Sequence, residues 1–214
     1  MGLAISVGVF ADLLIHDTEG AEWMAEGLAA ASRLLASNGL PSHDEPRTLP
    51  KMASRAALRS LPYSFIHHLR RAYAHCVNTP GWIAAPWPPG DDPTHDPVLD
   101  AETTMFSSHL LCHSDAEGYY LPIDFKEVLF AEADDHELPG GMLGSSYRLR
   151  DEMVRVAPSL GIELQGHVLS DAEAARIGRL TLKDEGLYRE LASWLALYEA
   201  ARLSIEHGPA IVFG

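Results

Sequence analysis

The densest set of side chains able to do chemistry lies between Ser107 and Asp124, in the run SSHLLCHSDAEGYYLPID. If this segment is extended, His109, Leu111, His113 and Asp115 alternate onto one side, because successive strand residues point to opposite faces. Two imidazoles and a carboxylate on one side suit a zinc or iron site, so His109, His113 and Asp115 are the metal candidates. The same residues with Glu117 could supply a general base and the group that orients it, which makes His109, His113, Asp115 and Glu117 the candidate catalytic set of a metal-dependent or histidine-assisted hydrolase. Their spacing matches no compact metal signature, and polar residues around a turn also simply face water. The leading expectation is therefore no metal and no cofactor.

Other reactive residues have plainer readings. His68 and His75 stand seven apart, one helical side but not the i, i+4 spacing of a helical metal pair. Cys112 beside His113 could be an activated thiolate, yet neighbours in a strand point apart. Gly140-Gly141-Met142-Leu143-Gly144-Ser145-Ser146 follows neither glycine-rich phosphate pattern and has an acidic stretch before it. It reads as a flexible turn with a serine N-cap. Cys76 and Cys112, the only two cysteines, are embedded in apolar neighbours. They are expected as free, buried thiols of a reducing compartment.

The elements that must position these groups follow from periodicity. Residues 3–10 (LAISVGVF) read as a short buried strand. A helix is expected from Ala21 to Ser37, stopped by Asn38-Gly39, then a polar loop from Pro41 to Pro50 and a second helix near Met52. Pro62 opens another helix in which Ile66, Leu69, Tyr73 and Cys76/Val77 form an apolar stripe opposite His67, Arg70, Arg71 and Ala74. Residues 79–100 hold six of the fourteen prolines and read as an ordered loop without helix or central strand. Strands are expected over Met105–Leu111 and Gly118–Phe125, helical character over Lys126–Ala133, and a helix from Ser146 to Ala157. Ser170-Asp171-Ala172-Glu173 is a capping box, with serine and glutamate each satisfying the other's backbone. A long helix runs from Leu187 to Glu206, and the terminal AIVFG is a strand that can pair with the amino-terminal one. The expected fold is one helix-dominated α+β domain over residues 1–214, with four to six helices and a small sheet containing both chain ends.

Charge is distributed very unevenly along that framework. Between Arg71 and Arg148, thirteen carboxylates stand against the single Lys126, which accounts for −12 of the formal −14. Such a block sets up a negative field that attracts cationic surfaces and repels nucleic acid and anionic membranes. Charge runs usually mean a solvated face, but aromatic residues share this one. Trp82, Trp87, Tyr119, Tyr120, Phe125 and Phe130 fall in the same stretch, and aromatic anchors ringed by charge give interfaces both affinity and steering. Trp82, Trp87, Asp115, Glu117, Tyr119 and Tyr120 are accordingly the candidate partner-binding residues.

In overall character, a small acidic protein whose negative surface bears aromatics resembles the bacterial immunity proteins, which neutralise cationic toxin domains. The resemblance covers no defined motif and transfers no residues. It implies an inhibitor of a basic toxin or enzyme, with a basic protein as partner and neither nucleic acid nor membrane bound. Apolar content of 47%, spread along the whole chain, disfavours disorder. The apolar amino terminus lacks a basic n-region and is interrupted by Asp12, and no run nears the ~20 residues of a membrane span, so a soluble cytoplasmic protein is expected.

Overall fold

The computed structural model describes residues 2–56, 60–88, 90–132 and 137–214. Among them are eight α-helices and a mixed six-stranded sheet. None of these helices is long and apolar enough to cross a membrane. Strand β1 (Leu3–Val7) is shorter than its apolar run, because Gly8 turns at φ 79° into helix α1 (Val9–His16). The expected strand over 3–10 thus ends three residues early. Only glycine fits at that turn. A Cβ would stand 2.6 Å from Leu49 Cδ1 and 2.8 Å from Met52 Cε.

Helix α2 (Thr18–Ser37) begins three residues before its apolar pattern, since the Asp17 carboxylate accepts from Gly20 N at 3.0 Å. Ala21, Met24, Leu28, Ala31 and Leu35 face inward. No helix forms over residues 52–56, and residues 57–59 lie outside the described chain. Tertiary bonds take Arg55 instead: its backbone and guanidinium donate to the buried Glu199 at 2.6–3.0 Å, and Nη1 donates to Leu169 O at 2.8 Å.

Strand β2 (Ser60–Leu61) precedes α3 (Tyr63–Asn78), whose Ile66, Leu69 and Tyr73 are buried as expected. Arg70 and Ala74, expected on the opposite side, are buried too. Arg70 donates to the carbonyls of Leu110 and His113, which satisfies a charged group deep in the protein. The described part of the proline-rich stretch carries no strand, but it does hold a 3-10 turn (Pro93–His95) and α4 (Pro97–Thr103). Proline is compatible with a first helical turn. Asp96 caps α4 by accepting from Val98 N at 2.8 Å.

Two further expectations fail nearby. Residues 109–112 are a single helical turn, α5 (His109–Cys112), rather than strand, because the Ser108 hydroxyl accepts from Leu111 N at 3.1 Å. After β3 (Gly118–Leu121), the 126–132 segment supplies strand β4 (Leu129–Phe130) rather than helix. Strand β5 (Met142–Ser145) leads into α6 (Ser146–Val156), then a β6–β7 hairpin (Leu164–Gln165, Val168–Leu169), α7 (Asp171–Thr181), α8 (Tyr188–His207) and β8 (Ile211–Phe213). Only half of the capping box forms: Ser170 Oγ accepts from Glu173 N, while the Glu173 carboxylate turns to Arg176 and Glu163 N.

The sheet order is β2-β1-β8-β3-β5-β4, with β3 and β5 parallel and the rest antiparallel. Both chain ends therefore lie side by side in its middle, Ile5 opposite Phe213. Alternation along the strands divides the core. Tyr120, Ile211 and Phe213 face α3, α6 and α8, whereas Tyr119, Leu121 and Leu143 face α2. Helix α8 is buried nearly all round, as a helix through the centre of a core must be. Its Trp194 is fully enclosed, with the indole N–H on Met153 O at 2.8 Å.

Candidate functional site

The histidines of the 107–124 segment are core residues. His109 opens α5, where its Nδ1 accepts from Ser145 N at 3.0 Å and its Nε2 donates to Lys126 O at 3.1 Å. A ring that accepts at one nitrogen is neutral, and burial lowers its pKa further. His113 follows α5; its Nδ1 donates to Ser114 O at 2.7 Å, and its ring stacks on Tyr120 with centroids 4.2 Å apart. Burial pushes its pKa down to about 3. Asp115 is half-exposed and meets His67 Nε2 at 3.0 Å, and Glu117 is at the surface. The four side chains thus do not converge on one pocket. Among the described residues no group of three or more histidines, cysteines and acids could hold a metal ion.

The thiols also depart from expectation. Both are free, but only half-buried. Burial raises the Cys112 pKa, the reverse of activation.

The aromatic candidates are mostly structural. Tyr119 and Tyr120 are enclosed on opposite faces of β3, neither on the protein surface. Trp82 and Trp87 are half-buried and grip Arg71 in a cation–π stack. The Arg71 guanidinium carbon sits 3.9 Å from the Trp87 ring centroid and 5.8 Å from that of Trp82. His75 stacks on Trp82 at 5.0 Å, and Asp96 Oδ2 accepts from both Arg71 (2.8 Å) and His75 (2.9 Å). Burial works to raise the Asp96 pKa, but these bonds and the one from Val98 N hold it below the usual carboxylate value. The cluster pins the proline-rich loop to α3.

The surface that remains is acidic. Asp91, Asp92, Asp100, Glu117, Asp124, Glu127, Glu132 and Glu137 are exposed in the charge block. Part of this charge is offset: Lys126 lies 3.3 Å from Glu127, Arg148 lies 2.7 Å from Asp124, and Arg33 pairs with Glu137. Helix α2 adds Glu19, Glu22 and Glu26 on its outer face beside Trp23, which is 58% exposed. Segment-level charge hides these acids, because residues 1–71 carry seven acids and seven bases. The signal that finds them is the 3–4 spacing of Glu19, Glu22/Trp23 and Glu26 opposite Ala21, Met24 and Leu28.

Glu26, Trp23 and Arg33 line a cleft of about 570 Å³ with Glu117, Glu137 and Pro139, so the acidic face of α2 meets the middle-third block there. A separate exposed patch holds Phe106 and Phe130 edge-to-face at 5.7 Å beside Met105. Phe106 sits at φ 53°. That left-handed conformation is uncommon for a bulky residue.

Residues 1–213 match the family described as "Putative DNA-mimic protein". No curated protein and no solved structure matches the chain. The match overturns the expectation of an immunity-type inhibitor of a basic toxin, and equally that of a hydrolase centred on residues 107–124. It also corrects the partner expectation, which set nucleic acid aside and named only an unspecified basic partner: the family is described by mimicry of DNA. The acidic surface, and not the buried histidines, is the feature that fits, and this chain belongs to the DNA-mimic family.

Proposed function

We propose that this chain occupies the DNA-binding surface of a DNA-binding protein, presenting carboxylates where that protein meets phosphates. The observation that carries the reading is the charge block, thirteen carboxylates to one lysine between Arg71 and Arg148, in a member of this family. Duplex DNA carries one negative charge per ~1.7 Å of axis, and its protein partners answer with lysine and arginine that hold phosphates without reading sequence. A surface bearing Asp115, Glu117 and the outer acids of α2 answers the same cations. The Phe106–Phe130 pair adds an apolar contact that a phosphate backbone lacks. Two free thiols support a reducing, cytoplasmic setting.

The test is displacement. DNA-binding proteins of the source organism are held on a fluorescent duplex and the chain is titrated in, with anisotropy as the readout. The expected result is release of the duplex by at least one of them at low salt, requiring more chain as salt rises. Failure to displace any of them in low salt would sink the reading.

A further inference from the structure

The cleft beside α2 gathers like charges from three separate parts of the chain: Glu26 on α2, Glu117 in the turn before β3 and Glu137 ahead of the 3-10 turn Pro139–Gly141. Arg33 pairs with Glu137 and offsets one charge, so the described lining residues are net negative. Trp23 stands on the same wall, one helical turn before Glu26, with most of its surface open. A second, independent feature lies behind the cleft wall. The Tyr119 hydroxyl is buried and has no hydrogen-bond partner among the described residues. Leaving a buried hydroxyl unpaired costs about 1–3 kcal/mol. The Tyr119 oxygen abuts the cleft-lining Gly27: a Cβ there would stand 2.6 Å from it, and 3.3 Å from Cδ of Pro139, which also lines the cleft. The missing side chain at Gly27 leaves room for that oxygen directly behind the cleft wall.

We propose that this cleft binds an organic cation, a guanidinium or alkylammonium group, between the Trp23 ring and the carboxylates of Glu26 and Glu117, with the Tyr119 oxygen as the deepest acceptor. An aromatic face next to carboxylates is the arrangement that recognises such cations. The space, about 570 Å³, far exceeds a bare metal ion. It is in the size range of small-ligand sites. Resting on the reading of a DNA mimic, the natural occupant is an arginine or lysine side chain of the DNA-binding partner, taken as a narrow minor groove takes an inserted arginine. The affinity for the cation itself does not depend on that reading.

The test uses the full chain with 15N-labelled tryptophan, whose four indole signals include Trp23, assigned through Trp23→Phe. Nα-acetyl-arginine amide, an arginine-containing tripeptide and spermidine are titrated separately, each against sodium chloride at equal ionic strength. The Trp23 signal is expected to shift saturably with the arginine compounds. Glu26→Gln/Glu117→Gln, both at exposed sites, should weaken binding about tenfold or more, the scale of one or two charge-assisted hydrogen bonds. Tyr119→Phe should weaken it about two- to tenfold, and an unchanged affinity would remove the hydroxyl from the site. A shift reproduced by sodium chloride, or unaltered in the double variant, overturns the proposal. Saturable binding of spermidine but not of the arginine compounds keeps a cation site and overturns the side-chain occupant. Saturable arginine binding without displacement of any DNA-binding protein removes the mimic reading alone, and displacement without any Trp23 shift removes the cleft alone.

Discussion

Glu152 and His113 sit in the same core and respond to pH in opposite senses. Glu152 on α6 accepts from His109 N at 2.9 Å on one oxygen and from Leu110 N at 2.7 Å on the other, and so caps α5 from outside. Burial outweighs these bonds and pushes its pKa up to about 7. Relative to its ordinary value of 4.5, the folded chain then holds an extra proton, so this contribution to stability is complete below pH 4.5 and is lost as pH rises through about 7. His113, depressed from 6.5 to about 3 by burial, contributes stability above pH 6.5 that is lost as pH falls toward about 3. Glu152→Gln sets an amide NH2 against a backbone N–H and should cost about 1–3 kcal/mol at neutral pH in urea titration. Its deficit against the parent should widen from pH 7 to 4.5, because only the parent gains a proton there. His113→Phe keeps a ring to stack on Tyr120 but cannot titrate, so its deficit should narrow as the pH falls from 6.5. Parallel pH profiles for either variant and the parent would contradict these assignments.

At the scale of elements, two contacts decide how the acidic surface is displayed. Helix α2 lies on the sheet only because position 27 has no side chain above Tyr119. Gly27→Ala should force α2 away or shift Tyr119, at a cost of about 1–3 kcal/mol despite the better helix propensity of alanine. A thermal midpoint equal to or above the parent's would show that the helix docks with slack. The proline-rich loop is held by the Trp82–Arg71–Trp87 stack, by Asp96 on Arg71 and His75, and by one backbone bond, Ala84 N to Ser159 O at 2.8 Å. Trp82→Ala/Trp87→Ala should release the loop without unfolding the sheet. Hydrogen exchange at Ala84 should then speed up greatly, while Tyr120 and Leu143 stay protected. If the sheet amides exchange faster as well, the clamp belongs to the global core.

For the whole molecule, the asymmetry of charge is the property with the longest reach. A surface that competes with DNA should bind with an affinity that falls steeply with salt, since fields beyond ~8 Å are screened at physiological ionic strength. Replacing Glu19, Glu22 and Glu26 by glutamine should flatten that salt slope while leaving the fold intact, because all three are exposed on α2. Phe106→Ala/Phe130→Ala should weaken binding at every salt concentration and leave the slope unchanged, because an apolar contact is not screened. Equal slopes for the glutamine variant and the parent would place the partner elsewhere on the surface.

Much of this architecture is legible in the residues alone. The 3–4 spacing of Ile66, Leu69 and Tyr73, the apolar stripe through Trp194 and Tyr198, and the short apolar ends that pair as β1 and β8 all act locally or by simple alternation. The concentration of acids in the middle third is likewise a property of composition. What tertiary structure decided is where polar groups go once they are enclosed. The alternation of His109, Leu111 and His113 suits a strand, but the Ser108 cap and the Glu152 carboxylate, 42 and 43 residues away from the amides it holds, make it a helical turn. Arg55 likewise leaves a helical pattern for Glu199, 144 residues on. Hydrogen bonds of that range have no periodicity to betray them, because they are satisfied across the fold and not along the chain. The same holds for the cleft, where Glu26, Glu117 and Glu137 meet only because β3 brings its preceding turn up against α2.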